Sequence, residues 1–294
     1  MMKDMYRVFR YGVVRILEGE DALLEQLRAR ARYWNRLVEI EQAYRAECER
    51  IMHADPRVAD LEQRIQALAD DNRQELRALR RDLREAQRAV RQDARVQEQL
   101  QQAATQRTAA VRVARHQYGL YWGNYLDVEM MYRAARGRNG HRLRFTPTNT
   151  GEGAVSVWFQ HGLPTSWVWG RDSRLMMDPL PAGVWETHRT HHDPRLRTTV
   201  RLRVGSTTER QPIYVVAMVV MHRPLPEEGL IRHASIVRRR IGGRVRYQLC
   251  ITVAVPPPAP RTSGDVIGVD VGWRRLADGM PAPGGLCRWR RLRA

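Results

Sequence analysis

Residues Met5 to Leu17 read as a β-strand, with Tyr6, Val8 and Phe9 followed by Tyr11, Val13, Val14 and Ile16, yet everything from about residue 20 to 136 carries a helical period. A solitary strand is unstable in water. It must therefore pair with strands formed more than a hundred residues later, which makes the helical block an insertion into a sheet-based domain. Few folds satisfy that order.

Within the insertion, Leu23, Leu24, Leu27, Ala31, Trp34, Leu37 and Val38 trace one apolar face of a first helix that ends near His53, ahead of Asp55-Pro56. A second starts at Pro56, where the missing N–H costs nothing. Its apolar positions Val58, Leu61, Ile65, Leu68, Leu76, Leu79, Leu83, Ala86 and Val90 step by threes and fours, interrupted at Asn72, as in a long antiparallel or coiled-coil hairpin. Between Arg91 and Thr108 the seam fades into glutamine and alanine, which reads as a frayed tip or return bend. Tyr118, Tyr121, Trp122 and Tyr125 then recur at i, i+3, i+4 and i+7, with Tyr132 beyond, before Gly137, Asn139 and Gly140 end the block. That aromatic ridge is foremost a packing surface, and Tyr121 and Trp122 are its candidates for base stacking.

From 141 to 260 the period changes to two. Val200, Leu202 and Val204 alternate with Arg201 and Arg203; Val245, Tyr247, Leu249, Ile251, Val253 and Val255 share a face opposite Arg244, Arg246, Gln248, Cys250, Thr252 and Ala254. Further strands are expected at Ala154–Phe159, Trp167–Trp169, Ile213–Met221 and Ser235–Arg239. Short strands with separate polar faces predict a small barrel, apolar inside and studded with arginine outside, completed by the N-terminal strand. Pro256-Pro257-Pro258-Ala259-Pro260 then forms an extended spacer, and the segment beyond it is too short to bury a core of its own.

The formal net charge of +18 selects polyanionic partners, nucleic acid first. Lys3 is the only lysine, so 49 of the 50 basic residues are arginine. Guanidinium forks suit phosphates and guanine edges, but a GC-rich genome produces the same bias, so the charge carries the weight. Cys48, Cys250 and Cys287 match neither a disulfide framework nor zinc spacing, which fits a reducing, cytoplasmic setting. The longest apolar run, Ile213 to Met221, is half a membrane span, so no membrane partner is expected.

Arg232, Arg238, Arg239, Arg240, Arg244 and Arg246 lie on two strands around a Gly242-Gly243 turn. An ordinary solvated hairpin would intersperse acids; this one does not, so phosphate contact is the favoured reading. His188, His191 and His192 beside Asp193 match no zinc pattern, and no metal is assigned to them. One carboxylate stands out: Asp270, in Val266-Ile267-Gly268-Val269-Asp270-Val271-Gly272-Trp273-Arg274. A carboxylate in a strand is costly unless hydrogen bonded or bound to metal. A two-metal nuclease needs several such groups, and only Asp278 comes after it.

Taken together, these features resemble the compact type V CRISPR effectors and their transposon-associated RNA-guided relatives, and within them the N-terminal half of the type V-M branch. The likeness rests on the order of strand, helical insertion, basic strands and spacer. It rests too on Val184-Trp185-Glu186, Val200-Arg201-Leu202-Arg203-Val204-Gly205-Ser206, His222-Arg223-Pro224-Leu225-Pro226, Leu249-Cys250-Ile251-Thr252-Val253 and Gly268 to Arg274. The resemblance implies an α+β multidomain fold. Residues 1–17 and 138–260 would form an oligonucleotide-binding-like wedge β-barrel, 18–137 a helical recognition lobe, and 261–294 a truncated start of an RNase H-like (RuvC) domain, with Asp270 as its first acid. It further implies guide RNA and target double-stranded DNA as partners, with sequence read by base pairing. Type V-M members resemble binders that silence DNA without cutting it. Binding would need no cofactor, and Mg2+ would matter only if a complete nuclease site were assembled. The competing readings are a metal-dependent RNA-guided DNA endonuclease, as a fragment or split enzyme, and a helical-hairpin assembly protein.

Overall fold

The computed structural model describes residues 5–257 except 69–71, 140–142, 171, 173, 188–189, 191–192 and 208, together with 267–268 and 290–291. Contacts divide the chain into two units, one being Met5–Val255. In the other, the described residues form one short antiparallel pair, Ile267–Gly268 with Arg290–Arg291. The rest of the expected RuvC-like start, and Pro258–Pro260 of the spacer, lie outside the described residues.

The main unit begins with β1 (Met5–Glu18) and turns at Gly19 into α1 (Glu20–His53). Gly19 sits at φ +77°, and a Cβ there would lie 2.2 Å from the Tyr214 carbonyl oxygen, so glycine alone can make this turn. Next come α2 (Pro56–Ala67), α3 (Arg73–Gln92), α4 (Ala94–Arg115) and α5 (Trp122–Asn139). Asp55 caps α2 by accepting from the Arg57 N–H at 2.9 Å, as Asp55-Pro56 predicts. The single second helix predicted from Pro56 is instead two, α3 being capped by Asn72. The glutamine–alanine segment is not a frayed tip. Asp93 ends α3 and caps α4, accepting from the Arg95 and Val96 N–H groups at 2.8 and 3.3 Å. The apolar seam fades there because α4 packs through small side chains, Ala103 and Ala114 being buried.

Then come β2 (Gly153–Pro164), β3 (Leu175–Met177), α6 (Val184–Thr187), β4 (Arg197–Ser206), β5 (Pro212–Val220), β6 (Leu230–Ile241) and β7 (Arg244–Val255). The Trp167–Trp169 segment, expected as a strand, lies largely in a 3-10 turn, Thr165–Val168. All neighbouring strands are antiparallel, in the order β2-β6-β7-β1-β5-β4-β3. β1 is central. Its first half pairs with β7, Met5 opposite Val255, and its second half with β5, with irregularities after Val13 and Ile16.

The expected barrel is overturned: this is an open seven-stranded antiparallel sheet in a mixed α/β unit, and its edge strands β2 and β3 do not pair. Closure requires edge strands that meet along their length, and β3 offers three residues. The free edge of β2 is covered by helices instead. The Ser156 N–H donates to Asn124 Oδ1 at 2.8 Å, and Arg30 Nη1 donates to the Ala154 carbonyl. Gly123 approaches so closely that a Cβ would lie 2.7 Å from the Ser156 carbonyl oxygen. The sheet still curls around a core in which Val155 and Val157 of β2 join Val200, Leu202 and Val204 of β4, with Leu23 and Leu27 of α1. A second core joins Tyr33 and Leu37 of α1, Ala114 of α4, and Val128 and Tyr132 of α5.

Candidate nucleic-acid interface

The ladders settle which side chains oppose the core. On β7, Leu249, Ile251 and Val253 are buried, so Arg246, Gln248, Cys250 and Thr252 face outward. Pairing puts Arg10 opposite Cys250 and Arg239 opposite Arg246 on this outer face. Across β1 the face continues to Arg15 opposite Met218, then to Arg201 opposite Val216 and Arg203 opposite Tyr214. Arginine thus recurs on β6, β7, β1 and β4, while Glu18 is the only carboxylate these registers place among them. Like charges directly opposite, as at Arg239 and Arg246, destabilise a ladder unless an anion lies between them. The Cys250 thiol registers the cluster. Burial raises its pKa above the ordinary value, against the opposing pull of Arg10 and Arg239.

The arginines expected at the hairpin divide by structure. Gly242 and Gly243, at φ 56° and 77°, form the two-residue turn, which requires left-handed conformations at both positions. Arg239, Arg240, Arg244 and Arg246 cluster around it, all four exposed. Arg238 is committed to the protein: Nη1 donates to the Thr150 and Gly151 carbonyls at 2.7 and 3.1 Å, and Nε to Tyr247 Oη at 3.1 Å. Arg232 lies further down β6 at a register irregularity, half-buried, with Nη1 donating to the Gln160 carbonyl at 3.3 Å. Arg203 is held by Ser206 Oγ at 2.7 Å and stacks over Tyr121 at 5.6 Å. Arg201 lies over the Tyr214 ring at 4.6 Å and is exposed.

The aromatic ridge divides too. Tyr118 and Tyr125 pack around Tyr33, and Tyr121 packs against the sheet core, whereas Trp122, first residue of α5, is 45% exposed. Arg10 and Arg15 were missed by the sequence reading. Their signal was present, since Arg10 alternates with Phe9 and Tyr11, which point inward. Tyr6 and Val8 also face out, at 59% and 49% exposure, so β1 offers apolar as well as cationic surface.

The helical unit is fastened to the sheet through Asp127. Its Oδ1 accepts from Trp158 Nε1 at 2.8 Å, and its Oδ2 lies 3.7 Å from both Arg30 Nη1 and His233 Nε2. Burial pushes its carboxyl pKa up, but His233, Ser156 and Arg30 outweigh it and hold the group below the ordinary carboxylate value. Two buried carboxylates bind the helices together. Glu129 accepts from Tyr33 Oη at 2.9 Å and pairs with Arg115 at 2.6 Å, and Glu41 accepts from Tyr132 Oη at 2.6 Å beside Arg45, Arg107 and Arg136.

Asp270, His188, His191 and His192 lie outside the described residues. Among the described residues no group of three or more His, Cys, Asp or Glu is placed to hold a metal ion, and no described helix is long and apolar enough to cross a membrane. No hydrolytic step is assigned to the described side chains.

No family model matches the chain. The CRISPR-associated DNA-binding protein Cas12m of Allomeiothermus silvanus is 32% identical over 284 residues, covering 94% of this chain and 52% of that protein. That of Thermanaerosceptrum fracticalcis is 32% identical over 311 aligned positions, with the same two coverages. A third, from Mycolicibacterium mucogenicum, is 39% identical over 83 residues, covering 28% of this chain and 14% of that protein. The chain spans about half the length of the first two curated relatives. Among solved structures, a chain of a Cas12f1–sgRNA–target DNA complex superposes with a TM-score of 0.33 at 9% identity, covering 90% of this chain and 62% of that one. Aligned over nearly all of its own length and about half of theirs, the chain is a homologue of the Cas12m-type CRISPR-associated DNA-binding proteins, the type V branch that its sequence resembles.

Proposed function

We propose that this chain binds a guide RNA and, directed by it, double-stranded DNA, and that it does not itself cut the DNA. The observation that carries the reading is the outer sheet face, where arginines from four strands gather and the strand registers place one carboxylate, Glu18, among them. Such a surface fixes phosphates without reading bases, which suits recognition in which pairing with the guide reads sequence and the protein grips backbone. The direct phosphate contacts fall to Arg10, Arg15, Arg201, Arg239, Arg240, Arg244 and Arg246. Arg203, Arg232 and Arg238 shape that surface from within, and Trp122 is positioned to stack on a base while Tyr121 packs behind it. The relatives are named as DNA-binding proteins, which supports the same partner class. A cytoplasmic setting fits free thiols at Cys48 and Cys250. Asp270 serves as a mark of ancestry rather than as a complete site, and Mg2+ is needed only where further acids are supplied.

The test is purification with its RNA. Structured RNA carried through purification, with preference for guide-like transcripts over bulk RNA, supports the proposal; no such preference sinks it. Cleavage of guide-matched DNA in Mg2+ that is lost in Asp270→Ala overturns the non-cleaving part.

A further inference from the structure

The cleft between α1 and α4 holds a cavity of about 240 Å³. Ile40 and Ala43 of α1 face Ala103 and Ala110 of α4 across it, and alanine at three of these four positions is too short to fill the space. Tyr44 forms a further wall, with the Arg107 guanidinium over its ring at 4.3 Å. Glu39 and Glu47 stand half-exposed at the mouth. Each is already paired, with Arg36 at 2.8 Å and with Arg50 at 2.6 Å.

Arg107 also belongs to a cluster whose charges do not balance. Arg136, Arg45 and Arg107 approach the buried Glu41 carboxylate at 3.2, 3.4 and 3.9 Å. Among the described residues no other carboxylate lies within ion-pairing distance of these three guanidiniums, so two positive charges are left over. Arg107 is the farthest from Glu41 and the least exposed of the three, its side chain at 15%. A guanidinium withdrawn from water is costly unless a counter-charge matches it. The Glu129 cluster shows the ordinary balance: Arg115 pairs closely with it, and the second arginine, Arg133, stays 73% exposed. The walls of the cavity set the class of anion that suits Arg107. Its planar fork takes a carboxylate through two parallel hydrogen bonds, and Ile40 with the alanines suits a compact apolar body behind that carboxylate. Sites for drug-sized molecules begin at roughly 300 Å³, so the occupant is smaller than these. Glu39 and Glu47 at the mouth disfavour a polyanion, which separates this cavity from the arginine face of the sheet.

We propose that the α1–α4 cavity is a binding site for a small organic monocarboxylate, held by Arg107 through its carboxylate and by Ile40, Ala43, Ala103 and Ala110 through its apolar body. The site is independent of the nucleic-acid reading, and its occupant bridges α1 and α4. Binding of benzoate and of hexanoate to the full chain, free of RNA, is measured by titration calorimetry, with neutral benzamide and inorganic phosphate as comparisons. One or both carboxylates should bind saturably to a single site. Benzamide and phosphate should each bind about tenfold more weakly or worse, the effect of losing one charge-assisted hydrogen bond. Arg107→Gln should weaken carboxylate binding by about the same factor. Ala43→Leu, at an exposed position of α1, fills the cavity without altering charge and should abolish binding, with helix content unchanged by circular dichroism. R239Q/R240Q/R244Q/R246Q should leave carboxylate affinity as it is.

No saturable binding of either carboxylate would overturn the site. Benzamide binding as tightly as benzoate would remove the role of charge, and phosphate binding as tightly would show a seat for any small oxyanion; either result overturns the ligand class. Carboxylate affinity that survives Ala43→Leu and falls in the sheet variant would place the binding on exposed arginines and not in the cavity. If Arg107→Gln loses helix content, Ala43→Leu and the benzamide comparison decide.

Discussion

Replacing Asp127 by asparagine probes the joint that lets helices, rather than a closing strand, cover the edge of β2. Asparagine keeps an oxygen for the Trp158 Nε1 bond at 2.8 Å, so the substitution removes the charge and turns the acceptor that faces Arg30 and His233 into an amide donor. Arg30 lies 3.7 Å away with its side chain 14% exposed, and Asp127 itself is 13% exposed. At that separation and an effective dielectric near 20, the gross attraction is about 4.5 kcal/mol. Removing one partner of a buried pair strands the other, at a cost of about 3 kcal/mol. D127N should therefore lose about 3 kcal/mol in urea unfolding at pH 7, or roughly 6–12 °C in Tm for a unit of this size. The pH dependence has a definite sign. The folded carboxyl titrates below its unfolded value of about 3.9, so its contribution is fully present above that value and fades as pH falls through the folded pKa. The gap between D127N and the unaltered protein should hold between pH 7 and 5 and close only under stronger acid. Glu39→Gln, which breaks the exposed pair with Arg36, should cost less than about 0.5 kcal/mol. A D127N loss below about 1 kcal/mol at pH 7, or a gap already closing at pH 6, would refute the reasoning.

Gly19→Ala should destabilise by more than the roughly 1–3 kcal/mol of an unfavourable backbone conformation, since its Cβ would also meet the Tyr214 carbonyl; thermal melting by circular dichroism reads the loss. Arg238→Gln should cost about 1–2 kcal/mol in unfolding through its bonds to Thr150, Gly151 and Tyr247, with the salt slope of RNA binding unchanged. R239Q/R240Q/R244Q/R246Q should do the reverse, leaving stability within about 0.5 kcal/mol and flattening the slope by about three to four. Glu41→Gln leaves Arg45, Arg107 and Arg136 facing one another and should cost about 3 kcal/mol, read by denaturant midpoint.

Much of this architecture is visible in the spacing of apolar residues. The strand at Met5–Glu18, the ends of α1 at His53 and of α5 at Asn139, and the β6–β7 hairpin are set by period, proline and glycine. Closure was not visible, because whether two edges meet depends on contacts such as Asn124 with Ser156, which link residues 32 positions apart and leave no periodic trace. The division of the arginines was hidden in part: alternation alone puts Arg238 and Arg239 on opposite faces of β6, but the carbonyls of Thr150 and Gly151 that hold Arg238 are tertiary partners with no periodic trace.

The most direct test of RNA-guided binding without cleavage loads the purified chain with a guide RNA and offers labelled DNA duplexes, matched or scrambled, in Mg2+. Gel mobility and denaturing gels of the same reactions report retention and integrity. The matched duplex should be retained intact and the scrambled one released at physiological salt. Equal retention of both, or cutting of the matched duplex, would contradict the account.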